Sequence, residues 1–472
     1  MPSNARLSVL SLCALGTILR LPNLGESLWY DEVLYSTSDW LTSLYKLWDL
    51  FLNDAPAPLY RVVLFFWIQI FPETELTVRI PSLLCGISSI VVTYWIARAY
   101  GSPRVAFLAA ALLCFSPAHV WYSQEATPYA MTLFFLLMTV LAWVRLQESP
   151  SHRAWYAVYL SMFLAAVFTH YYAAVFLLPL TLLSVAVERP LRRRLLVAHA
   201  VVVSSLALAL GIKYQYGEVR TGQGFLRPFT PFEWWMLFFH WFLQGNTLWT
   251  VSPYRANLHY LLGKPLLLVC QVFFLVIFLR GLLAHQGQKN WLQARELSLF
   301  VASLPVVMLL VTAVGYRQLY IERYLFWILP FFLIVLARGA MSFSHARTVI
   351  ACSLAAAVLG AASYGALLYK SDQWTVYKQN PDWRSTVRYL STQDFSPNRR
   401  AVVLAVTLAD DLGYYLRRET QTPYPVMYYT PNTFKLILAV RRVEVFYLIK
   451  NRYWAGSFDK VLQQVTHEKR VV

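Results

Sequence analysis

The sequence predicts an α-helical polytopic membrane protein that carries a small C-terminal α/β domain. Of its 472 residues, 58% are hydrophobic and 14% are charged, whereas a water-soluble domain carries about 25% charged residues. The mean hydropathy is +0.47. The net charge of +17 comes largely from basic residues at the ends of apolar runs. That placement is typical of the positive-inside rule and argues against nucleic acid as a partner.

Apolar runs that are long enough to cross a bilayer recur along the N-terminal part of the chain. A hydrocarbon core of about 30 Å needs roughly 20 apolar residues in a helix. A further run, at 59–71, is short and contains Arg61, so we expect it to lie in the membrane interface. The sequence thus predicts about eleven membrane-spanning helices, near 6–22, 80–98, 104–117, 128–146, 155–169, 172–188, 195–213, 260–282, 297–315, 323–340 and 348–369.

The basic residues predict the orientation of these helices. With the N-terminus inside, every predicted inner connection holds arginine or lysine, whereas the short outer turns at 117–127 and 169–172 hold neither. This asymmetry supports the orientation of a multi-pass protein whose N-terminus lies inside. The first run is followed by no small-residue cleavage site, so we expect it to be a retained helix. The predicted outer loops are 22–79, 117–127, 169–172, 213–259 and 316–322.

The chain changes character at about residue 370. Polar residues, prolines and short strand-like runs appear, namely AVVLAVTL at 401–408 and VEVFYLI at 443–449, near a helical stretch at 382–391. This pattern predicts a membrane domain at 1–369 and a soluble extracytoplasmic α/β domain at 370–472. The sequence has neither a P-loop nor a glycine-rich dinucleotide turn, and its five cysteines all lie in apolar runs.

The stretch SLWYDEVLY, residues 27–35, places two adjacent carboxylates just after the first apolar run. Asp31 and Glu32 lie among Trp29, Tyr30 and Tyr35. A charge at the interface avoids the cost of about 2.5–3.5 kcal/mol that insertion scales assign to the centre of a membrane helix. The pair is either a solvated juxtamembrane acid that caps a helix or a general base in aromatic surroundings.

A second outer loop repeats this combination of an acid with aromatic side chains. In SPAHVWYSQEATPYA, residues 116–130, Glu125 follows Gln124 and lies close to Tyr122. Aromatic faces pack on the apolar faces of sugar rings, while acids and amides bind hydroxyl groups. The alternative is an interfacial aromatic belt with incidental polar residues.

Two further outer segments contain candidate ligands. THYYAA, residues 169–174, contains His170 and Tyr171, although a histidine at a helix end is more often structural. GYRQLYIERYLFWILPFF, residues 315–332, contains Arg323 and Tyr324. An arginine at the mouth of a span either extends towards the interface or binds a phosphate group.

Together these stretches resemble the GT-C superfamily of membrane glycosyltransferases, which use polyprenyl-phosphate sugars. The resemblance is greatest to bacterial relatives of protein O-mannosyltransferases and of the lipid A aminoarabinose transferase, and it covers most of residues 20–180. NPDWRSTVRYL, at 380–390, is similar to the start of an appended outer domain. The other similar motifs are LWYDEVLY, DAPAPLYRVVLFFW, TELTVRIPSLLCG, WYSQEATPYA, THYYAA and ERYLFWILP.

One departure from the family pattern concerns the approach to the interfacial helix. Relatives have two consecutive prolines there, often preceded by a basic residue or histidine. In this chain Ala57 separates Pro56 from Pro58, and Ala55 carries no charge. Arg61, one turn further on, is the candidate replacement for the missing phosphate contact.

The resemblance implies an enzyme that moves a sugar from a polyprenyl-phosphate donor to a lipid, glycan or protein acceptor. Transfer would occur on the extracytoplasmic face with inversion, and Asp31 would be the general base. It implies no required cofactor, with a divalent cation on the acidic residues as the alternative. A transporter, or a protein that binds lipid-linked sugars without catalysis, is the alternative function. The predicted catalytic residues are Asp31, Glu32 and Glu125, and the predicted substrate-binding residues are Trp29, Tyr30, Tyr35, Arg61, Tyr122, Gln124, His170, Tyr171, Arg323 and Tyr324.

Overall fold

The computed structural model describes most of the N-terminal three quarters of the chain and scattered stretches beyond it. The described residues are 3–22, 24–38, 40–218, 265–283, 288–315, 322–355, 357, 383–384, 387–388, 401–405, 414–415, 418, 426–428 and 445–449. They divide into two compact units. Unit 1 comprises Met1–Leu24, Ser43–Pro72 and Leu76–Lys378, and unit 2 comprises Gly25–Thr42, Glu73–Glu75 and Gln379–Val472.

Helices dominate the described residues. Two 3₁₀ segments, Tyr171–Phe176 and Glu322–Ile328, precede the helices Leu177–Val185 and Leu329–Met341. The helices are α1 (Ser3–Arg20), α2 (Tyr30–Ser36), α3 (Leu44–Asn53), α4 (Leu59–Ile70), α5 (Glu75–Tyr100), α6 (Pro103–Phe115), α7 (Pro117–Gln124), α8 (Pro128–Glu148), α9 (Arg153–Thr169), α10 (Leu177–Val185), α11 (Arg189–Tyr216), α12 (Pro265–Leu283), α13 (Gln288–Ala313), α14 (Leu329–Met341) and α15 (Ala346–Ala355).

Several of these helices are long and apolar enough to cross a membrane. Among the described residues there are five such helices, or six if α6 and α7, which are bent by 59°, form one span. The five are α5, α8, α11, the Arg295–Ala313 part of α13 and the stretch Arg323–Met341. A helical protein with several apolar helices is thereby confirmed, and the number of eleven spans stays a prediction.

Prolines determine where three of the helices begin. Pro103, Pro117 and Pro128 each occupy an early position in α6, α7 and α8, where the missing N–H would have no helical partner. The residue before Pro117, Ser116, is extended, as expected for a residue that precedes proline. The polar stretch 117–127, predicted to be a turn, therefore contains the short helix α7.

The core of unit 1 lies along α6, α8 and α14, whose side chains are buried over most of their length. Two glycines allow α12 and α14 to approach each other closely. A Cβ atom on Gly339 would collide with the carbonyl of Ile277, and one on Gly281 would collide with the carbonyl of Val335. Small residues at such crossings are characteristic of membrane helix packing.

The described part of unit 2 combines α2 with a three-stranded parallel sheet. The strands are β1 (Ala401–Ala405), β2 (Val426–Tyr428) and β3 (Val445–Ile449), in the order β2-β1-β3. In this register Val403 of β1 lies opposite Val426 of β2 and Tyr447 of β3. The predicted domain at 370–472 stays a prediction, since unit 2 also contains residues 25–42 and 73–75.

Candidate functional site

The acidic stretch of unit 2 forms the first turn of α2. Trp29 is the N-cap, and Asp31 and Glu32 follow in the first turn, where negative charge is favourable. Glu32 is completely buried, and its Oε2 accepts the Trp29 backbone N–H at 3.2 Å. This is the reciprocal arm of a capping box. Asp31 is only half-buried, so the two adjacent carboxylates have different environments.

The aromatic residues predicted to surround this pair are close to it in the chain. Trp29 and Tyr35 are both half-buried. Tyr30 is the first residue of α2, but its side chain lies outside the described residues. The structure therefore places Trp29, Asp31, Glu32 and Tyr35 on one short helical segment.

In unit 1, helix ends bring together an aromatic cluster that includes four of the predicted ligands. The His170 ring is 5.2 Å from the Tyr324 ring and 4.6 Å from the Trp327 ring, between centroids. The Arg323 guanidinium lies 5.5 Å from the centroid of the Tyr129 ring. We call Tyr122, Tyr129, His170, Tyr172, Arg323, Tyr324 and Trp327 the aromatic cluster.

Tyr122 also belongs to this cluster, through two ring contacts. Its ring centroid is 5.2 Å from that of Tyr129 and 4.7 Å from that of Phe326. The cluster thus receives side chains from α7, α8, the end of α9 and the two 3₁₀ segments. A wall of aromatic faces with one guanidinium suits a sugar that carries a phosphate group.

His170 has a structural function at the junction between α9 and the following 3₁₀ segment. Its backbone N–H donates to the Ala166 carbonyl at 3.0 Å, and its Nδ1 accepts the Tyr172 N–H at 3.3 Å. Burial, and next the positive charge of Arg323, lowers the pKa of His170 to about 3. The imidazole is therefore neutral near pH 7 and is a poor general base.

Glu125 and Gln124 lie at the end of α7 and have different partners. Glu125 is buried, and its Oε2 accepts a hydrogen bond from the Thr127 hydroxyl at 3.3 Å. The Gln124 side-chain amide donates to the backbone carbonyls of Arg20, at 3.2 Å, and Pro22. Gln124 therefore fastens the end of α1, a structural function that its polarity alone did not predict.

Arg61 belongs to a separate group of charges, which we call the charge cluster: Asp54, Arg61 and Lys213. Arg61 Nη2 is 2.6 Å from Asp54 Oδ2, and Lys213 Nζ donates to the Asp54 backbone carbonyl at 2.6 Å. Arg61 and Lys213 are both buried. Arg61 is thus paired with the Asp54 carboxylate, whereas Lys213 bonds to the Asp54 main chain.

The charge cluster adjoins the aromatic cluster through consecutive residues. The Lys213 ammonium lies 5.3 Å from the centroid of the Tyr171 ring and 5.4 Å from that of Phe51, distances typical of cation–π contacts. Tyr171 directly follows His170 in the chain. Sequence reasoning missed Lys213 because it ends the apolar run 195–213, where a lysine indicates the end of a span.

A metal site is not evident in the part of the chain that the structure describes. No group of three or more His, Cys, Asp or Glu side chains there is arranged to hold a metal ion. The predicted acidic ligands Asp31 and Glu32 belong to unit 2, whereas Glu125 belongs to unit 1.

Comparisons with known proteins identify the fold. The family model for dolichyl-phosphate-mannose-protein mannosyltransferases matches residues 54–213. No curated protein matches the chain. Among solved structures, ArnT from Cupriavidus metallidurans bound to undecaprenyl phosphate is 15% identical, with a TM-score of 0.54 over 96% of this chain and 90% of ArnT. The same protein in its apo state is 16% identical, with a TM-score of 0.53 over 93% and 89%.

A second similar structure comes from an archaeon. AglB, the oligosaccharyltransferase of Archaeoglobus fulgidus, in complex with an inhibitory peptide and a dolichol-phosphate, is 11% identical, with a TM-score of 0.51 over 88% of this chain. The match spans 63% of the AglB chain. At these identities the similarity concerns the fold. The expected resemblance to GT-C membrane glycosyltransferases is thereby confirmed for the fold, and the family match extends over residues 54–213.

Proposed function

We propose, from the GT-C fold, that this chain moves a sugar from a polyprenyl-phosphate donor to an acceptor on the extracytoplasmic face of the bacterial plasma membrane. Two findings support the donor class: the family match over residues 54–213 and the similar fold of an ArnT structure that holds undecaprenyl phosphate. The observation that carries the proposal is the contrast in α2. Glu32 is buried and caps the helix, whereas Asp31 is half-exposed beside it.

In the proposed reaction Asp31 acts as the general base. It takes a proton from a hydroxyl or amine of the acceptor, and the freed lone pair attacks the anomeric carbon of the sugar. The bond between that carbon and the phosphate oxygen breaks, and the lipid phosphate leaves with the electron pair from the opposite face. Configuration at the anomeric carbon is inverted. General base catalysis contributes typically 10²–10⁴-fold.

The basic residues of unit 1 are assigned to the phosphate. A phosphate leaving group gains negative charge as the bond breaks, so cations held in place stabilise the transition state. Arg323 in the aromatic cluster and Arg61 with Lys213 in the charge cluster supply such cations. The rings of Tyr122 and Tyr324 are assigned to the sugar, and Glu125 to a sugar hydroxyl.

The membrane location follows from the donor. A polyprenyl tail is too apolar to leave the bilayer, since burying each methylene is worth about 0.8 kcal/mol. An enzyme that uses such a donor must therefore surround the tail with apolar helices. A donor activated as a lipid phosphate also needs no nucleotide, and we propose that no cofactor is required. The acceptor is a lipid, a glycan or a protein.

The test is transfer from radiolabelled polyprenyl-phosphate sugars in membranes that contain the wild-type chain or Asp31→Asn. We expect the variant to lose about 100-fold or more of the rate, without loss of expression or of thermal stability in detergent. Asp49→Asn is the matched control, because Asp49 is also a half-buried carboxylate of a short helix, and it is paired with Lys46 at 2.6 Å. Equal rates for wild type and Asp31→Asn would remove Asp31 from the base role.

Parallel reactions with EDTA test the need for a metal. Unchanged transfer supports a metal-independent enzyme, whereas loss of transfer would assign a divalent cation to the reaction. No transfer from any of several donors would favour the transporter or binding-protein alternative.

A further inference from the structure

The start of α2 is held by a residue from the far end of the chain. The Leu28 backbone N–H donates to the Tyr415 hydroxyl oxygen at 2.7 Å, and the same hydroxyl donates to Glu75 Oε1 at 3.1 Å. One residue earlier, the Ser27 hydroxyl oxygen accepts the Arg384 backbone N–H at 3.3 Å. Asp31 follows Leu28 by three positions, so these bonds fix the backbone immediately before it.

The end of α2 is held in the same way by the neighbouring tyrosine. The Ser38 backbone N–H donates to Glu73 Oε2 at 3.1 Å, and the Tyr414 hydroxyl donates to Glu73 Oε1 at 2.9 Å. Arg418 Nη1 in turn donates to the Tyr414 hydroxyl at 2.9 Å. Consecutive tyrosines are therefore bonded to Glu73 and Glu75, one at each end of the segment 28–38.

The tyrosines and Glu75 at the centre of this network are buried, and two arginines lie close to Glu75. Tyr415 is fully buried, and Tyr414 and Glu75 are each 5% exposed. Glu75 is paired with Arg384 and lies 3.8 Å from Arg418. Burial, and next the neighbouring glutamate charges, raises the pKa of both tyrosines, so both hydroxyls remain protonated and can donate.

A helix as short as α2 depends on such anchors. It has seven residues, whereas an isolated helix shorter than about 12–15 residues is marginal in water. Its direction is therefore determined by what holds its two ends. If the Leu28 N–H lost its acceptor, a buried donor would be left without a partner, which is unfavourable. The segment would then favour a different arrangement.

We propose that Tyr415, together with Tyr414, positions Asp31 by anchoring the two ends of the segment 28–38 to Glu75 and Glu73. The proposal gives residues near the C-terminus a function in the reaction, and it rests on the proposed role of Asp31. Neither tyrosine is proposed to touch the substrate, so both are positioning residues.

The first experiment does not require activity. Hydrogen–deuterium exchange of the full chain in detergent compares wild type, Tyr415→Phe and the matched control Tyr45→Phe, which alters an 81% exposed tyrosine of α3. We expect faster exchange over residues 28–36 in Tyr415→Phe alone. Unchanged exchange in Tyr415→Phe would overturn the anchoring, whatever reaction the protein performs.

The second experiment tests whether the anchor acts through Asp31. In the transfer assay, Tyr415→Phe should lower kcat by about 10- to 100-fold, since a displacement of about 1 Å can cost that much, and leave KM for the donor unchanged. In an Asp31→Asn background the same substitution should cost nothing further, because the group that it positions is already absent.

The outcomes separate the two proposals. If Asp31→Asn loses about 100-fold of the rate and Tyr415→Phe lowers the residual rate of that variant as much as it lowers the wild-type rate, the positioning role is wrong and the base role stands. A higher donor KM with unchanged kcat would also overturn the positioning role. If Asp31→Asn is fully active, the base role fails. If Tyr415→Phe does not fold, Tyr414→Phe is measured in the wild-type and Asp31→Asn backgrounds instead. It should also lower kcat only where Asp31 is present.

Discussion

The two regions that contain candidate site residues hold them in different ways. In unit 1, His170 and Arg323 lie at the ends of apolar helices whose packing fixes them. In unit 2, Asp31 lies on a seven-residue helix that is held by hydrogen bonds from side chains distant in sequence. The comparison indicates that substitutions in unit 1 should act through local charge and packing. Substitutions of the residues that hold α2 should act by changing the orientation of Asp31.

Among substitutions in unit 1, we expect Arg61→Met to have the largest effect on transfer activity. The substitution removes one of the two cations of the charge cluster and breaks its pair with the Asp54 carboxylate, whereas the bond from Lys213 to the Asp54 backbone carbonyl remains. We expect kcat/KM for the donor to fall by about 100-fold, since hydrogen bonds between charged groups are worth about 1.5–3 kcal/mol each. Saturation kinetics with a polyprenyl-phosphate sugar would measure it.

Asp54→Asn is the control for that prediction. It keeps both cations and removes only the carboxylate, so donor binding should be unchanged or tighter. An equal loss of activity in both variants would mean that the cluster serves folding rather than the phosphate.

A smaller effect is expected for His170, which should make the stability of the protein depend on pH. Its folded-state pKa, about 3, lies below the usual value of about 6.5. The unfolded chain therefore binds more protons between these values, and stability should fall as pH drops from about 6.5 towards 3. The slope is at most about 1.4 kcal/mol per pH unit.

Thermal melting in detergent at several pH values tests this, with His170→Asn beside wild type. The stability of His170→Asn should depend less steeply on pH, because the contribution of His170 is absent. Identical slopes for both proteins would show that the ring is accessible to protons in the folded state. Transfer activity should show no inflection from His170 between pH 5 and 8.

The smallest effect on the transfer rate is expected for Glu32→Gln, and it distinguishes the role of Glu32 from that of Asp31. Glutamine can also accept the Trp29 N–H in a capping box, so Glu32→Gln should change the transfer rate by less than about threefold. Glu32→Ala lacks the acceptor and should destabilise α2 by about 0.5–2 kcal/mol, the usual cost of losing a helix cap. A loss in Glu32→Gln as large as that in Asp31→Asn would instead make Glu32 part of the chemistry.

The local sequence was sufficient to predict the helical character and several candidate residues. Apolar runs predicted the positions of most described helices. Three separate motifs predicted Tyr122, His170, Arg323 and Tyr324, and all four residues belong to the aromatic cluster. The short helix α7 was missed because its residues are polar and aromatic and have no apolar period. The eleven spans, the outer orientation and the soluble domain at 370–472 stay predictions.

By itself, the sequence determined the class of the protein, because the cost of placing polar groups in hydrocarbon restricts long apolar runs to membrane helices. It also identified Asp31 and Glu32 as a pair. Only the tertiary structure distinguished them, since the burial of Glu32 and the exposure of Asp31 depend on how α2 packs. The contact between Leu28 and Tyr415 joins residues 387 positions apart. No local pattern encodes such a contact, because it forms only when the chain has folded.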